Sequence, residues 1–587
     1  MRLRFFLSVI SLFLTCVCLA QTADMPAADS SSLDFKQFGL LAIQDGGRRK
    51  PVDTFARETL IKITGRSTYT AGAKTWQAND FILSMLLDTH KWQEEPMILV
   101  SLGQLIEQLG LGKTRRRFSF AQLSALPELN RLAGEAHALR KAEKPLSRLQ
   151  SEVMAVTERL GLFAHVMDGS AFLLVPAPGK TTDPWIVPPA FSQHYNETQF
   201  APVQTQLQTM ANSYVRGDGF AFGRAANQLR DGLRALSPKI YPEESQLRLE
   251  YFYNHWEGFY RAAWAYGIAL VLLAIAHLRA APNAAHRAAA TEASGKRSYL
   301  KIAGVIIAIV GLLFHASGIA MRCMIAGRPP VTNMYESIIW VSFAVSFFGM
   351  IFFARYRTPV YLLAALPVSL VALLLVHQMP IAMPSSIDPL VPVLRDNFWL
   401  TIHVLTITLS YAAFALAMGF GHILLWRYAR NPVSARADQP MHFWLYRVLQ
   451  LGVILLGAGT ILGGVWANYS WGRFWGWDPK ETWALIAFLC YILTLHGRLA
   501  GWWTQFGLVV ASVVCFLAVL MAWYGVNFVL GKGLHSYGFG LGGETYVVSF
   551  VIADLLFVGF AIWRYRSTKS PRPPTTPAAV AAERIAA

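Results

Sequence analysis

Apolar runs long enough to cross a bilayer recur between residues 259 and 563, and that recurrence restricts the chain to a multi-pass membrane fold. They occupy residues 259–278, 301–320, 332–353, 359–377, 398–426, 443–467, 482–499, 504–526 and 546–563. In hydrocarbon every backbone N–H and C=O must be bonded internally, so runs of this length are helices. Charged residues make up only 15% of the chain, against roughly 25% in a soluble protein. Residues 21–257 differ, because no 18-residue apolar run occurs there. That stretch reads as a mainly α soluble domain, with amphipathic segments at Phe81–Leu87 and Glu152–Leu162 and a Pro-rich connection after Val175. Its segment GGRRKPVDTFARETL reads as a loop feeding a helix, with Asp53 or Thr54 near the start. The expected fold class is an all-α polytopic membrane protein of about nine transmembrane helices with an N-terminal mainly α extracytoplasmic domain.

The formal net charge of +17 raises nucleic acid as a partner, and its distribution argues against that. Basic residues cluster between apolar runs, at Arg279, Arg287, Lys296 and Arg297, at Arg355 and Arg357, at Arg427, Arg430 and Arg436, and at Arg564, Arg566 and Lys569. This is the positive-inside pattern of cytoplasmic loops. The N-terminus, MRLRFFLSVISLFLTCVCLAQ, has a basic start, a short apolar run and a small residue at Ala20, and reads as a secretory signal over residues 1–20, with an uncleaved anchor helix as the alternative. Alternate crossing from an external start puts 279–300, 354–358, 427–442, 498–503 and the tail inside. It puts 321–331, 378–397, 468–481 and 527–545 outside. The expected organisation is therefore an extracytoplasmic domain at 21–257, a first span and cytoplasmic loop at 258–300, a membrane domain at 301–566 and a disordered cytoplasmic tail at 567–587. In a bacterium this is a cytoplasmic (inner) membrane protein with a periplasmic N-terminal domain. Of five cysteines, Cys16 and Cys18 lie in the signal, while Cys323, Cys490 and Cys515 lie in or beside spans, and no CxxC occurs. Thiol oxidoreductase chemistry is excluded as the chain's own activity.

One outer loop carries a constellation. Trp466, Trp471, Trp475, Trp477 and Trp483 fall within eighteen residues, interspersed with Gly472 and Gly476. An interfacial belt accounts for one or two tryptophans at a helix end. Five with glycines between them describe an aromatic platform for a large planar apolar ligand such as a porphyrin, with Arg473 or Lys480 placed for an anionic group. Asp478-Pro479-Lys480-Glu481 also reads as N-cap, Pro at N1 and Glu at N3, a capping box opening the next helix. Imidazole is a good axial ligand for haem iron. His403 falls at the outer end of the 398–426 run and His535 in the outer loop GKGLHSYGFG, so the two bracket the tryptophan loop. His496 sits within the 482–499 run toward its inner end, where a histidine is a functional candidate. His315 and His377 are ambiguous, and His422 and His442 read as interfacial. No general acid or base is identifiable.

The motif WGRFWGWDPKETW resembles the tryptophan-rich signature of the haem-handling superfamily. In this form it is similar to the CcsA (ResC-type) component of the system II cytochrome c synthase. Pro330-Val-Thr-Asn-Met-Tyr-Glu336-Ser resembles the same family, and the likeness covers roughly residues 300–565. The resemblance implies haem b as substrate, with iron ligated by His403 and His535 at the outer face and by His496 within the membrane. Trp471, Trp475, Trp477, Asp478, Trp483, Arg473 and Lys480 would complete the haem-binding set. It implies holocytochrome c synthase (haem lyase) activity as one subunit, in which haem is joined by thioether bonds to the reduced CxxCH of an apocytochrome c. A CcsB (ResB-type) membrane subunit is the implied partner and the usual source of a further transmembrane histidine, for which His315 is this chain's own candidate. The alternative is a haem exporter or chaperone of the system I CcmC/CcmF type, against which the DPKETW ending speaks. A third reading, a transporter or scaffold whose tryptophans form only a belt, predicts a protein without a Soret band.

Overall fold

The structure, a computed structural model, describes residues 33–280, 299–390, 392–531, 533–535 and 543–568. The expected signal peptide and the tail beyond residue 568 lie outside the described residues. The chain divides into two compact units, Met1–Tyr251 and Phe252–Ala587.

In the second unit each apolar run forms a helix, and among the described residues nine helices are long and apolar enough to cross a membrane. We number the main α-helical segment of each span α1 (Gly258–Ala280), α2 (Tyr299–Ala326), α3 (Met334–Tyr356), α4 (Val360–Gln378), α5 (Leu405–Arg430), α6 (Gln439–Trp471), α7 (Pro479–Leu499), α8 (Gln505–Val514, within the span Gln505–Leu530) and α9 (Glu544–Ser567). The protein is thus a multi-pass membrane protein, as the hydropathy predicts. Two spans are less regular than expected. A π turn, Leu400–Val404, leads into α5, and the α8 span breaks at Cys515 and finishes as a π-helix over Met521–Leu530. Such i→i+5 turns recur at functional sites because they shift side-chain register without ending a helix.

Lipid offers helices no hydrophobic reason to associate, so close packing of small residues holds them together. The α1–α2 pair shows how. Gly304, Gly311 and Gly318 recur every seventh residue on α2, and a Cβ at each would lie 2.8 Å from Leu273, Tyr266 and Phe259 of α1. His315 lies between these glycines. Its Nε2 meets the Ile339 carbonyl at 2.9 Å and its Nδ1 the Tyr266 hydroxyl at 3.3 Å, so both ring nitrogens are taken up in helix packing.

Arg322, wholly buried near the end of α2, is similarly satisfied. It donates to Glu336 (2.8 Å), to the Tyr253 hydroxyl (3.2 Å) and to the carbonyls of Ser385 and Ser386 (2.8 and 3.0 Å). Glu336 in turn accepts from the Thr332 amide and hydroxyl. The 330–337 motif is therefore built around a paired buried charge, which in low dielectric persists only with such partners.

The first unit is mainly helical but contains three two-stranded antiparallel ladders that hydropathy does not foresee. The segment expected to be a loop is the hairpin Ala42–Asp45 with Arg48–Pro51, closed by Gly46 and Gly47. Both glycines have positive φ, as a two-residue hairpin turn requires. The helix begins at Val52, and Asp53 does not cap it. Asp53 is buried in the first turn, accepting from Asn79 (2.8 Å) and Arg57 (3.0 Å). Arg48 forks onto Glu250 at 2.9 and 2.6 Å, and buried Lys50 pairs with Asp45 and Glu58 at 2.5 Å each. The expected amphipathic segments fall in helices Ala78–Leu86 and Arg148–Met167.

Candidate functional site

The π turn carries His403. Its Nδ1 lies 2.8 Å from the Gly459 carbonyl of α6, so a proton on Nδ1 is donated there and the Nε2 lone pair is free for another partner. The imidazole lies over bare backbone, because a Cβ on Gly463 would come within 2.6 Å of its Cε1. Trp466 meets the ring edge-on at 5.6 Å.

His535 is held by a different group to the same effect. Its Nδ1 lies 2.8 Å from Asp478 Oδ1, which again leaves Nε2 available. Trp471 packs against this ring edge-on at 5.2 Å. Asp478 also accepts from the Lys480 amide (3.0 Å) and the Leu534 amide (2.6 Å). Gly533, at φ 101°, lets the chain pass so close, since a Cβ there would lie 2.3 Å from Asp478 Oδ2. Burial raises the Asp478 carboxyl pKa. The bond from His535 and the two amides more than offset that, and hold it at about 2.

The capping box predicted at Asp478 and Glu481 is present, with Glu481 Oε2 accepting from the Gly476 and Asp478 amides at 2.8 and 3.2 Å. Asp478 therefore serves as helix cap and histidine holder together. Glu481 also takes Arg473 at 3.1 Å, and the Arg473 guanidinium lies 5.7 Å from the Trp471 ring centre. Directing two amides at one oxygen turns Trp477 between them into the left-handed region, at φ 57°. For a non-glycine residue this costs roughly 1–2 kcal/mol.

His403 and His535 open on one cavity of about 1190 Å³, a volume that includes space open to solvent. Trp466, Trp471, Phe474, Trp475 and Trp523 supply aromatic walls, and Val331 to Met334 with Ser337 and Leu394 close another side. Lys480 also faces the cavity, its Nζ 3.3 Å from Asn527 Oδ1. Of the two basic candidates, Lys480 is in the lining and Arg473 is committed to Glu481. Trp477, 69% exposed, and Trp483, on the second turn of α7, are outside the lining. His496 is exposed near the other end of α7, roughly 25 Å along the helix from Pro479 at 1.5 Å per residue. Its Nδ1 meets the Ile492 carbonyl at 2.9 Å.

Three further histidines are engaged elsewhere. His377 stacks on Tyr260 at 4.5 Å, His422 meets Asp554 at 2.7 Å and His442 meets the Tyr428 hydroxyl at 3.0 Å. Among the described residues no group of three or more His, Cys, Asp or Glu is placed to hold a metal ion. The cavity thus offers two histidines, a large aromatic interior and one cation. That set suits a planar macrocycle bringing its own metal. Sequence reasoning missed Gly459, Gly463, Trp523 and Asn527, which carry their signal only in three-dimensional proximity.

Residues 331–535 match the Cytochrome C assembly protein family, a segment running from the first to the last residue of the cavity lining. The chain is 31% identical over 530 residues to protein NrfI of Wolinella succinogenes, covering 86% of this chain and 54% of NrfI. The chain thus spans about half the length of that relative. It is 32% identical over 273 residues to the cytochrome c biogenesis protein CcsA of Prochlorococcus marinus subsp. pastoris, covering 42% of this chain and 85% of that protein. To CcsA of P. marinus strain NATL1A it is 34% identical over 261 residues, covering 38% and 82%.

Proposed function

The chain belongs to the cytochrome c assembly protein family, and from that premise we propose that its cavity holds haem b as substrate between Nε2 of His403 and Nε2 of His535. The observation carrying this reading is the pair of Nδ1 bonds, to the Gly459 carbonyl and the Asp478 carboxylate, which leave Nε2 available on two histidines that line one aromatic cavity. Fixing one ring nitrogen sets the tautomer and orientation of the other, the usual arrangement around a metal-ligating histidine. Lys480 supplies the cation for a propionate, and the lining tryptophans Trp466, Trp471, Trp475 and Trp523 supply contact for the ring faces.

The activity we infer is presentation of haem for thioether attachment, as one subunit of a holocytochrome c synthase. The protein's contribution is orientation and exclusion of competing chemistry. Each cysteine thiol of a reduced CxxCH segment adds its S–H across a vinyl C=C, so no atom is lost and no acid–base side chain of this chain is required. The positive-inside pattern supports placing the cavity at the outer face of the cytoplasmic membrane, with residues 21–257 on the same side. His496, at the opposite end of α7, is suited to hold haem in transit with a histidine from a CcsB-type subunit.

Separate replacement of His403 and His535 by alanine, assayed with a reporter apocytochrome, tests the reading. Each change is expected to abolish holocytochrome formation and lower copurified haem. Undiminished maturation and haem content in both variants rule it out.

A further inference from the structure

Trp477 occupies a backbone position that local sterics assign to glycine or asparagine. The cause is the cap: the amides on either side of it, of Gly476 and Asp478, both point at Glu481 Oε2. That arrangement uses only the backbone of residue 477, and any side chain there is surplus to it. Nor does packing account for the indole. It is 69% exposed and meets Trp475 edge-on at 5.9 Å. Trp475 lines the cavity and Trp477 does not, so Trp477 adjoins the aromatic wall from outside the lining.

We propose that Trp477 is a docking contact for the polypeptide that receives the cavity's substrate. This rests on the haem-presenting reading above. Three observations favour it. The side chain is held at a backbone position that disfavours it, it is exposed, and it adjoins the wall of the cavity. Lipid headgroups are the competing occupant, since exposed tryptophan is common at a bilayer surface. Anchoring in lipid, however, needs only an aromatic at the right depth. Nearby Tyr469 and Phe474 are exposed as well and do not have positive φ. Glu481 holds the backbone on either side of Trp477, so the residue keeps its place beside the cavity wall, where a chain approaching that cavity meets it. Solvent-facing aromatics of restricted geometry are the residues that dominate such contacts.

The test uses the full chain purified in detergent and loaded with haem, with a fluorescent peptide bearing Ser-x-x-Ser-His, which cannot form thioethers. Trp477→Gly and Trp477→Asn both tolerate the left-handed backbone, so both are expected to fold, with melting temperatures no lower than wild type. Each is expected to keep the haem spectrum and to weaken peptide binding roughly tenfold, the loss typical of one truncated interface aromatic. Unchanged peptide affinity in both variants overturns the proposal and leaves the lipid reading. Loss of haem in parallel also overturns it, by making Trp477 part of the haem site. A wild-type protein that binds haem through His403 and His535 but not the peptide defeats this inference alone. Haem content indifferent to both histidines defeats the reading on which it rests.

Discussion

The Asp478 carboxylate lies 2.8 Å from His535 Nδ1, across 57 residues of sequence, while it caps the helix that carries the tryptophan motif into the membrane. One side chain thus fixes a helix start and a candidate iron ligand together. Asp478→Asn retains a capping oxygen but loses the charge. Haem affinity is expected to fall about 10- to 100-fold, the range for loss of a partner behind a metal-bound histidine, as measured by haem titration. The variant also separates the two roles by pH. Because the folded carboxyl sits at about 2, below an unfolded aspartate, its stabilisation is full above roughly pH 4 and lost as pH falls toward 2. Melting temperature between pH 2 and 5 is expected to vary less in Asp478→Asn than in the wild type.

Gly463 leaves the space in which the His403 ring sits. Gly463→Ala puts a methyl 2.6 Å from His403 Cε1 and forces the imidazole off the Gly459 carbonyl. Loss of haem with normal membrane insertion is expected. Gly559→Ala, which meets nothing within 4 Å, serves as the control and is expected to retain haem. Equal haem content in the two variants counts against the placement of His403.

Arg322 is paired within the membrane unit and wholly buried. Arg322→Met strands Glu336 and the carbonyls of Ser385 and Ser386, and is expected to destabilise by about 3–5 kcal/mol. Arg322→Met with Glu336→Gln is expected to recover part of that, because no bare charge remains. Thermal melts in detergent distinguish the two, and a double variant no better than the single one contradicts the pairing.

Lys50 carries the corresponding weight in the N-terminal unit. Burial alone lowers its pKa, but Glu58 and Asp45 reverse this and hold it above its ordinary value. Its stabilisation is therefore full below about pH 10.5 and is lost as pH rises past its folded value. Lys50→Ala is expected to cost roughly 2–4 kcal/mol at neutral pH, read as a lowered melting temperature.

What the sequence made legible follows from range. The spans were readable because each is a local property of about twenty residues. The cap at Asp478 was readable because its partners lie within three positions. The joining of Asp478 to His535, and of His403 to Gly459 and Gly463, depends on helices that meet only after folding. The resemblance proposed both histidines as ligands, and the structure adds what orients them. Composition offered Arg473 and Lys480 equally, and Glu481 is what separates them, since it engages one guanidinium and leaves the other cation facing the cavity. The short ladders of the N-terminal unit escaped notice because strands of two to four residues carry too little alternation to register.

The most direct measurement is the magnetic circular dichroism of haem bound to the purified full chain, recorded for the wild type, His403→Ala and His535→Ala. The account predicts a low-spin bis-imidazole spectrum in the wild type and its loss in each single variant, with exogenous imidazole restoring it. A bis-imidazole spectrum that survives both substitutions contradicts the account, because haem would then be held by other residues.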